Sequence, residues 1–167
     1  MLKKLIVAFM LIIPMGLCAQ QKFGHVNSAV IITLMPEYTT AQTELQSLEK
    51  QYTDEIKRME DELNKKGEEF EAQKATLPAN IAERRQNELQ ELYNRMQQYF
   101  QEGQQHMQKA SADKMEAIRA KLTAAIKEVG VAGGYVYIMD VAAGVPYISE
   151  TLSTDVTESV KAKLGIK

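Results

Sequence analysis

The stretch Thr76-Leu77-Pro78-Ala79-Asn80 (TLPAN) decides the fold, because it interrupts a long charged segment that otherwise predicts continuous helix. Pro78 is the only proline between Pro36 and Pro146. A proline has no amide hydrogen and disfavours the helical conformation in the residue before it. The chain therefore either kinks within one very long helix or turns back on itself at Pro78.

Both sides of this stretch carry a stripe of apolar residues at steps of three and four, typical of one face of a helix. A single helix would leave its stripe in water, whereas a turn at Pro78 packs two stripes together. We therefore predict an antiparallel two-helix coiled-coil hairpin over residues 37–129, each helix about 60 Å long or more. The second helix is expected to be the longer and to end near Gly130, Gly133 and Gly134. The stripe consists of Tyr38, Ala41, Leu45, Leu48, Tyr52, Ile56, Met59, Leu63, Phe70 and Leu77, followed by Ile81, Leu89, Leu92, Met96, Tyr99, Met107, Ala110, Ile118, Leu122, Ala125 and Val129.

Three short β-strands and a closing helix are predicted outside the hairpin, which makes the fold class α+β. The clearest strand is Tyr135–Val141, where β-branched, aromatic and apolar residues follow two glycines. Its backbone groups need partners, and the other two predicted strands are Phe23–Ile31 and Pro146–Ser149. The closing helix follows Asp155 or Thr154, either of which can cap it.

These elements, within residues 20–36 and 130–167, are too few to form a large core of their own. Segments below about 40 residues seldom fold without disulfides, a metal or oligomerisation. The sequence has no cysteine after Cys18 and no cluster of metal ligands. We therefore predict that the strands form an oligomerisation body with other copies of the chain, which removes exposed strand edges. The residues expected in the oligomer core are Val26, Val136, Ile138, Val141 and Tyr147.

The first residues, MLKKLIVAFMLIIPMGLCAQQ, have the layout of a secretory signal peptide. Two lysines precede an apolar run, and a small residue, Ala19, follows it. The run is shorter than the about 20 residues of a membrane-spanning helix. We predict residues 1–19 to be a cleaved signal peptide. Lipid attachment at Cys18 is the alternative, and the bulky Leu17 disfavours it.

Charge and chemistry exclude several function classes. Loss of the leader with its two lysines leaves 18 basic and 22 acidic residues, a formal net charge of −4, so nucleic acid is not an expected partner. His25 and His106 have no second ligand at metal-binding spacing. Asp140 ends a strand without an accompanying base or nucleophile, so a turn or capping role is expected. No glycine-rich phosphate loop opens a helix. We therefore expect no cofactor and no enzymatic activity.

Two functions from different classes fit a long hairpin: a protein that holds unfolded clients, or a structural coiled-coil spacer that organises the envelope. The composition of the second predicted helix favours the client-holding function, because Tyr93 and Phe100 lie off the seam and methionines add adaptable contacts. A spacer has no use for this surplus, whereas repeated weak contacts hold a client by avidity. The residues predicted to contact clients are Tyr93, Met96, Tyr99, Phe100, Met107, Met59 and Phe70.

Gly67 and Gly103 are the only glycines within the two predicted helices. A glycine in a helix interior costs about 1 kcal/mol relative to alanine. One hypothesis is that both glycines are flexible points that let the hairpins spread around clients of different size; the alternative is that they are tolerated weak spots. Replacing both with alanine is expected to stabilise the hairpin.

The ordered combination of features resembles the Skp/OmpH family of periplasmic chaperones. It consists of the leader, Phe23 to Ile31 (FGHVNSAVI), Met35-Pro36-Glu37-Tyr38, the charged hairpin, a strand ending at Asp140, a Tyr147-Ile148-Ser149 strand, and a helix starting at Thr154-Asp155-Val156. The resemblance spans essentially the whole mature chain. It implies a homotrimer with a β-barrel body and three helical tentacles around a central cavity. It also implies an ATP-independent holdase in the periplasm that binds unfolded outer-membrane β-barrel proteins.

One departure concerns charge. Some members of the family are strongly basic, whereas this mature chain is net acidic. Electrostatic capture of clients, and binding of a membrane surface or lipopolysaccharide through a basic patch, are therefore in doubt. Arg84, Arg85 and Arg95 would form such a patch, with solvated ion pairs along the helix as the alternative interpretation.

Overall fold

The computed structural model describes residues 21–166, and its fold is α+β. The predicted signal peptide, residues 1–19 with Cys18, lies outside the described residues. The elements in chain order are β1 (Lys22–Val26), α1 (Ser28–Leu34), α2 (Pro36–Gln73), α3 (Ala79–Gly133), β2 (Tyr135–Asp140), a 3₁₀ turn (Val141–Ala143), β3 (Ser153–Asp155) and α4 (Thr157–Leu164). They divide into two compact units, Val30–Thr123 and the residues on either side of that range. In the part of the chain described, none of the helices combines the length and apolar character that a bilayer crossing requires.

The chain turns between α2 and α3 as predicted. Pro36 occupies the first turn of α2, where its missing amide hydrogen costs nothing. In the turn, the Thr76 amide donates to the Gln73 carbonyl at 2.9 Å, and the Ile81 amide donates to the Pro78 carbonyl at 2.9 Å. Pro78 therefore starts a new helix rather than kinking one. The second helix is the longer, with 55 residues against 38.

The seam of the hairpin contains the predicted apolar stripes. The most buried stripe residues within Val30–Thr123 are spread along both helices. Interhelical polar contacts flank the seam: Lys121 donates to Glu37, and Lys114 donates to Glu44. Burial of each large apolar side chain contributes about 1.5–3 kcal/mol, so the seam stabilises the hairpin far more than these partly exposed ion pairs do. The buried stripe residues are Ala41, Met59, Phe70, Leu92, Ile118 and Leu122.

The sheet has the order β2-β1-β3, and both pairings are parallel. The third strand is Ser153–Asp155, so the prediction of a strand at Pro146–Ser149 was wrong. Residues 146–149 form a loop, and the Ser149 carbonyl accepts a turn hydrogen bond from the Ser153 amide at 3.0 Å. A proline removes one ladder donor, which weakens any strand that contains it.

The predicted strand Phe23–Ile31 was too long. β1 ends at Val26, because the Ser28 amide donates to the Asp140 carboxylate at 3.1 Å and α1 begins there. The strand Tyr135–Val141 ends one residue earlier than predicted, since Val141 starts the 3₁₀ turn.

The core of the sheet-containing unit is small. Val26 on β1, Val156 just before α4 and Val160 on α4 are almost completely buried. The Asp155 carboxylate accepts the Thr157 amide at 2.8 Å at the start of α4, and Gly165 ends the helix with a left-handed φ of 74°. The closing helix and its glycine stop are therefore confirmed.

Candidate functional site

The exposed aromatic side chains of α3 form the first part of the candidate site. Tyr93 and Phe100 are each 45% exposed, although both are large and apolar. They are seven residues apart and therefore share one face of the helix. Leu92, next to Tyr93, is buried in the seam. The helix thus carries aromatic surface beyond what its partner helix covers.

The other predicted contact residues occupy more protected positions. Met96, Tyr99 and Met107 are half-buried, and burial raises the pKa of the Tyr99 hydroxyl. Met59 and Phe70 are 8% and 5% exposed and belong to the seam, so they offer almost no surface to a partner of this hairpin.

A cleft of about 480 Å³ lies between α2 and α3 beside Phe100. Its floor includes Gly103, where a Cβ atom would come within 2.8 Å of the Tyr52 ring. Gly103 is therefore a packing position, and the hypothesis that it is a flexible point is not supported. At Gly67 an added Cβ atom would meet no described atom within 4 Å other than those of its own chain neighbours and helix backbone. The cleft is lined by Glu49, Tyr52, Thr53, Ile56, Phe100, Gly103, Gln104, Met107 and Gln108.

Sequence reasoning missed Gln104 and Gln108 as lining residues. The signal that identifies them is their spacing: they follow Phe100 by four and eight residues and therefore lie on its face of α3.

Tyr52 connects the two helices at this cleft. Its ring lies 5.4 Å from the Tyr99 ring, and its hydroxyl forms a hydrogen bond of 2.7 Å with Nδ1 of His106. His106 therefore has an interhelical packing role.

The arginines near the turn do not form an uninterrupted basic patch. Nε of Arg84 lies 3.5 Å from the Glu88 carboxylate, and Arg85 lines a small cleft together with Lys66, Glu69 and Glu88. Arg95 is exposed. Carboxylates are thus interspersed with the arginines, which lowers the attraction of this region for an anionic surface.

The sheet-containing unit carries a second exposed apolar surface. Tyr137 stacks on Phe23 with ring centroids 4.9 Å apart, and both residues line a groove of about 290 Å³. Parallel sheets are normally covered on both faces, so an uncovered apolar face is unusual. The large apolar side chains exposed on this side are Tyr137, Met139, Tyr147 and Leu152. Val136 is also exposed, but it precedes Tyr137 in β2 and therefore lies on the opposite face of the sheet.

The predicted oligomer core residues separate into three groups. Val136 and Tyr147 are 58% and 78% exposed. Ile138 and Val141 are half-buried, and Ile138 packs against Gly24 and Gly130 of its own chain. Val26 is buried by the chain itself. Only the first group offers most of its side chain to another copy.

Polar groups at the strand ends have structural partners. The Asp140 carboxylate accepts the Ser28 amide, the Ser28 hydroxyl and the Ala142 amide. Burial raises the pKa of Asp140, but these hydrogen bonds outweigh burial and leave that pKa below its ordinary value. The predicted turn and capping role of Asp140 is confirmed.

His25 forms a 2.8 Å hydrogen bond with Ser153 on the neighbouring strand. Asp155, its cross-strand partner, is engaged by Thr157 at the start of α4, and that hydrogen bond lowers the pKa of the Asp155 carboxyl. Across residues 21–166, no three His, Cys, Asp or Glu side chains gather in a group that would hold a metal ion.

Comparison with known proteins agrees with this architecture. The family model described as "Outer membrane protein (OmpH-like)" matches residues 22–164. No curated protein matches the chain significantly. A solved structure with the same fold is that of a candidate outer membrane chaperone (OmpH-like) from Caulobacter crescentus CB15, with a TM-score of 0.75 and 19% sequence identity. The match covers 87% of this chain and 85% of that one. The resemblance to the Skp/OmpH family is therefore confirmed, and the chain belongs to the family of OmpH-like outer membrane proteins.

Proposed function

We propose that this protein is an ATP-independent holdase chaperone of the periplasm. It binds unfolded outer-membrane β-barrel proteins and prevents their aggregation. Membership of the OmpH-like family supports a chaperone role, and the Caulobacter crescentus protein of the same fold is described as a candidate outer membrane chaperone.

The observation that carries the proposal is the exposure of Tyr93 and Phe100 on α3. Exposed apolar surface on a soluble protein marks an interaction site when it exceeds what packing requires. Aromatic rings bury large areas with little loss of side-chain entropy and need no fixed register, which suits an unfolded partner. A structural spacer would not need these rings, and its helices would function with polar residues there.

We propose further that the protein works as a homotrimer whose strands close into a β-barrel body. Two observations support this assembly: the free edges of β2 and β3, and the exposed apolar side chains beside them, including Val136 and Tyr147. Free strand edges are normally paired or covered. Several hairpins in one assembly would hold one client through many weak contacts.

The test combines two measurements on the mature protein. Light scattering gives the mass in solution, which is expected to equal three chains. Light scattering of a diluted, unfolded outer-membrane β-barrel protein is then followed with and without the chaperone, in the absence of ATP. Suppression of aggregation at near-stoichiometric ratio supports the holdase. A trimer that does not suppress aggregation supports the spacer instead.

Binding of lipopolysaccharide or an anionic membrane surface is a weaker second proposal. The arginines near the turn are its only support, and the ion pair of Arg84 with Glu88 argues against it. Co-sedimentation with anionic vesicles at low salt tests it directly, and no sedimentation would remove it.

A further inference from the structure

Five exposed side chains form a row along one face of α3: Tyr93, Gln97, Phe100, Gln104 and Gln108. Their successive spacings are four, three, four and four residues, which keeps them on one face of a helix. The row spans about 22 Å at the usual helical rise. Two aromatic rings and three side-chain amides thus share one face of α3, which we call the amide–aromatic row.

Four of the five residues of the row, all except Tyr93, lie in a segment that is almost free of charge. Between residues 96 and 108 the only formally charged residue is Glu102, in a chain of which 25% of the residues are charged. Glu102 itself accepts a hydrogen bond from Gln98 at 2.7 Å. On either side the helix returns to ion pairs, such as Lys109 with Asp113. The lack of charge is therefore local to this part of α3.

The amides of the row make no hydrogen bond to other described residues, so they are accessible to a partner. Gln90 and Gln98 donate to Asn94 and Glu102 on their own helix. By contrast, the side-chain amides of Gln97, Gln104 and Gln108 have no hydrogen-bond partner among the described residues. Each offers two donors and one acceptor.

We propose that the amide–aromatic row binds an extended, unfolded polypeptide through its backbone. The rings of Tyr93 and Phe100 contact apolar side chains, while the amides of Gln97, Gln104 and Gln108 pair with peptide N–H and C=O groups that have no partner within the unfolded chain. The row matches about seven residues of extended chain in length. This inference rests on the proposed holdase function and specifies the chemistry that the holdase recognises.

Backbone recognition explains how one surface distinguishes unfolded from folded protein. In a folded β-barrel nearly all buried peptide groups are already paired, so the amides have nothing to bind. In an unfolded segment the same groups are available in every sequence. Because an amide carries no net charge, recognition is independent of the charge of the client.

The test compares two triple variants of the mature protein. One carries Gln97→Ala, Gln104→Ala and Gln108→Ala. The control carries Gln42→Ala, Gln46→Ala and Gln51→Ala on α2, where the side chains are also exposed. Alanine favours helix in both, so neither set is expected to unfold the hairpin, and circular dichroism checks this.

The probes are a neutral ten-residue peptide with alternating apolar and polar side chains, and the same peptide with N-methyl groups on alternate backbone nitrogens. N-methylation removes donors and leaves the side chains unchanged. We expect it to weaken binding to the natural protein and to the α2 control about five- to tenfold, and to leave binding to the row variant nearly unchanged. The row variant should bind the unmodified peptide about five- to tenfold more weakly than the control does.

Equal penalties of N-methylation for both variants would overturn backbone recognition by these amides. Equal affinity of the row variant and the natural protein for the unmodified peptide would also overturn it. Aggregation suppression by the natural protein separates this inference from the function beneath it. If suppression is observed but the glutamines have no effect, only the inference fails; if the natural protein does not suppress aggregation, the holdase proposal fails and the inference fails with it.

Discussion

The Tyr52 ring of α2 lies directly against Gly103 of α3, where an added Cβ atom would come within 2.8 Å of the ring. Such a distance is too short for any ordinary contact, so only glycine fits without movement of the ring. The same ring packs near Tyr99 and bonds to His106. Gly103 has a low intrinsic helix propensity, but the packing across the seam requires a glycine at this position.

This contact gives the two hairpin glycines opposite responses to alanine. Gly67→Ala places a methyl group in open space and should stabilise the protein by about 1 kcal/mol through helix propensity. Gly103→Ala displaces Tyr52 and should destabilise it by about 1–3 kcal/mol. Chemical denaturation of both variants at one chain concentration measures the difference. Equal stabilisation by both changes would contradict the packing role of Gly103.

Client holding should depend on the exposed rings rather than on charge. Tyr93→Ser with Phe100→Ser should weaken binding of an unfolded outer-membrane protein on the order of tenfold, because the rings lose apolar contact with the client. Leu34→Ser is the control, since Leu34 is also 45% exposed in the same unit. Binding should persist in raised salt, which screens charges but not apolar contacts. Loss of binding in moderate salt, with no effect of the two serines, would mean that capture is electrostatic.

The assembly should depend on Val136, which is 58% exposed in the single chain. Val136→Asp leaves the packing of the protomer intact but places a charge in the proposed interface, which is costly when buried. We expect the mass in solution to fall to that of one chain, with the helical circular dichroism retained. Val131→Asp, at a 76% exposed position of α3, is the control. A native mass for Val136→Asp would place the interface elsewhere. Ile138 is less suitable for this test because it also packs within its own chain.

Asp140 should make stability depend on pH in the acid range. Its carboxylate accepts three hydrogen bonds that include the amide and hydroxyl of Ser28, and its pKa is lower in the folded protein than its ordinary value. The ionised form therefore stabilises the fold fully above about pH 4, and this contribution is lost as the pH falls through the folded-state pKa.

Asp140→Asn should accordingly destabilise the protein at neutral pH by about 1–3 kcal/mol. The difference from the natural protein should shrink as the pH is lowered below about 4, where the natural carboxylate also loses its charge. Denaturant titrations at neutral and acid pH measure this difference in the free energy of unfolding. If the difference did not change with pH, the destabilisation by Asp140→Asn would come from altered hydrogen-bond geometry and not from loss of the carboxylate charge.

The hairpin was predictable because its determinants are local. The steps of the apolar stripe, Pro78 in the turn and the glycines at the end of α3 each act within a few residues. The stop of α4 at Gly165 is local in the same sense.

The elements that were missed depend on distant partners. The α1 sequence SAVIITL is rich in β-branched residues and favours a strand, yet Ser28 bonds to Asp140, 112 positions away, and the helix starts there. β3 consists of Ser153, Thr154 and Asp155, which carry no apolar signal, and its pairing with β1 alone makes it a strand. The role of Gly103 likewise follows from Tyr52 on the other helix.

The sequence separations of the native contacts increase steadily away from the turn at Pro78. They are 54 residues for Tyr52 with His106, 70 for Lys114 with Glu44, 84 for Lys121 with Glu37, 112 for Ser28 with Asp140, and 128 for His25 with Ser153. Each contact, once formed, shortens the loop that the next one must close, so the entropic cost is divided into small steps. We therefore expect contacts near the turn to form first and those of the sheet to form last. β1 stays unpaired until β2, more than a hundred positions later in the sequence, is brought next to it. Pulse-labelling hydrogen exchange should accordingly show the amides of α2 and α3 near the turn protected before those of β1.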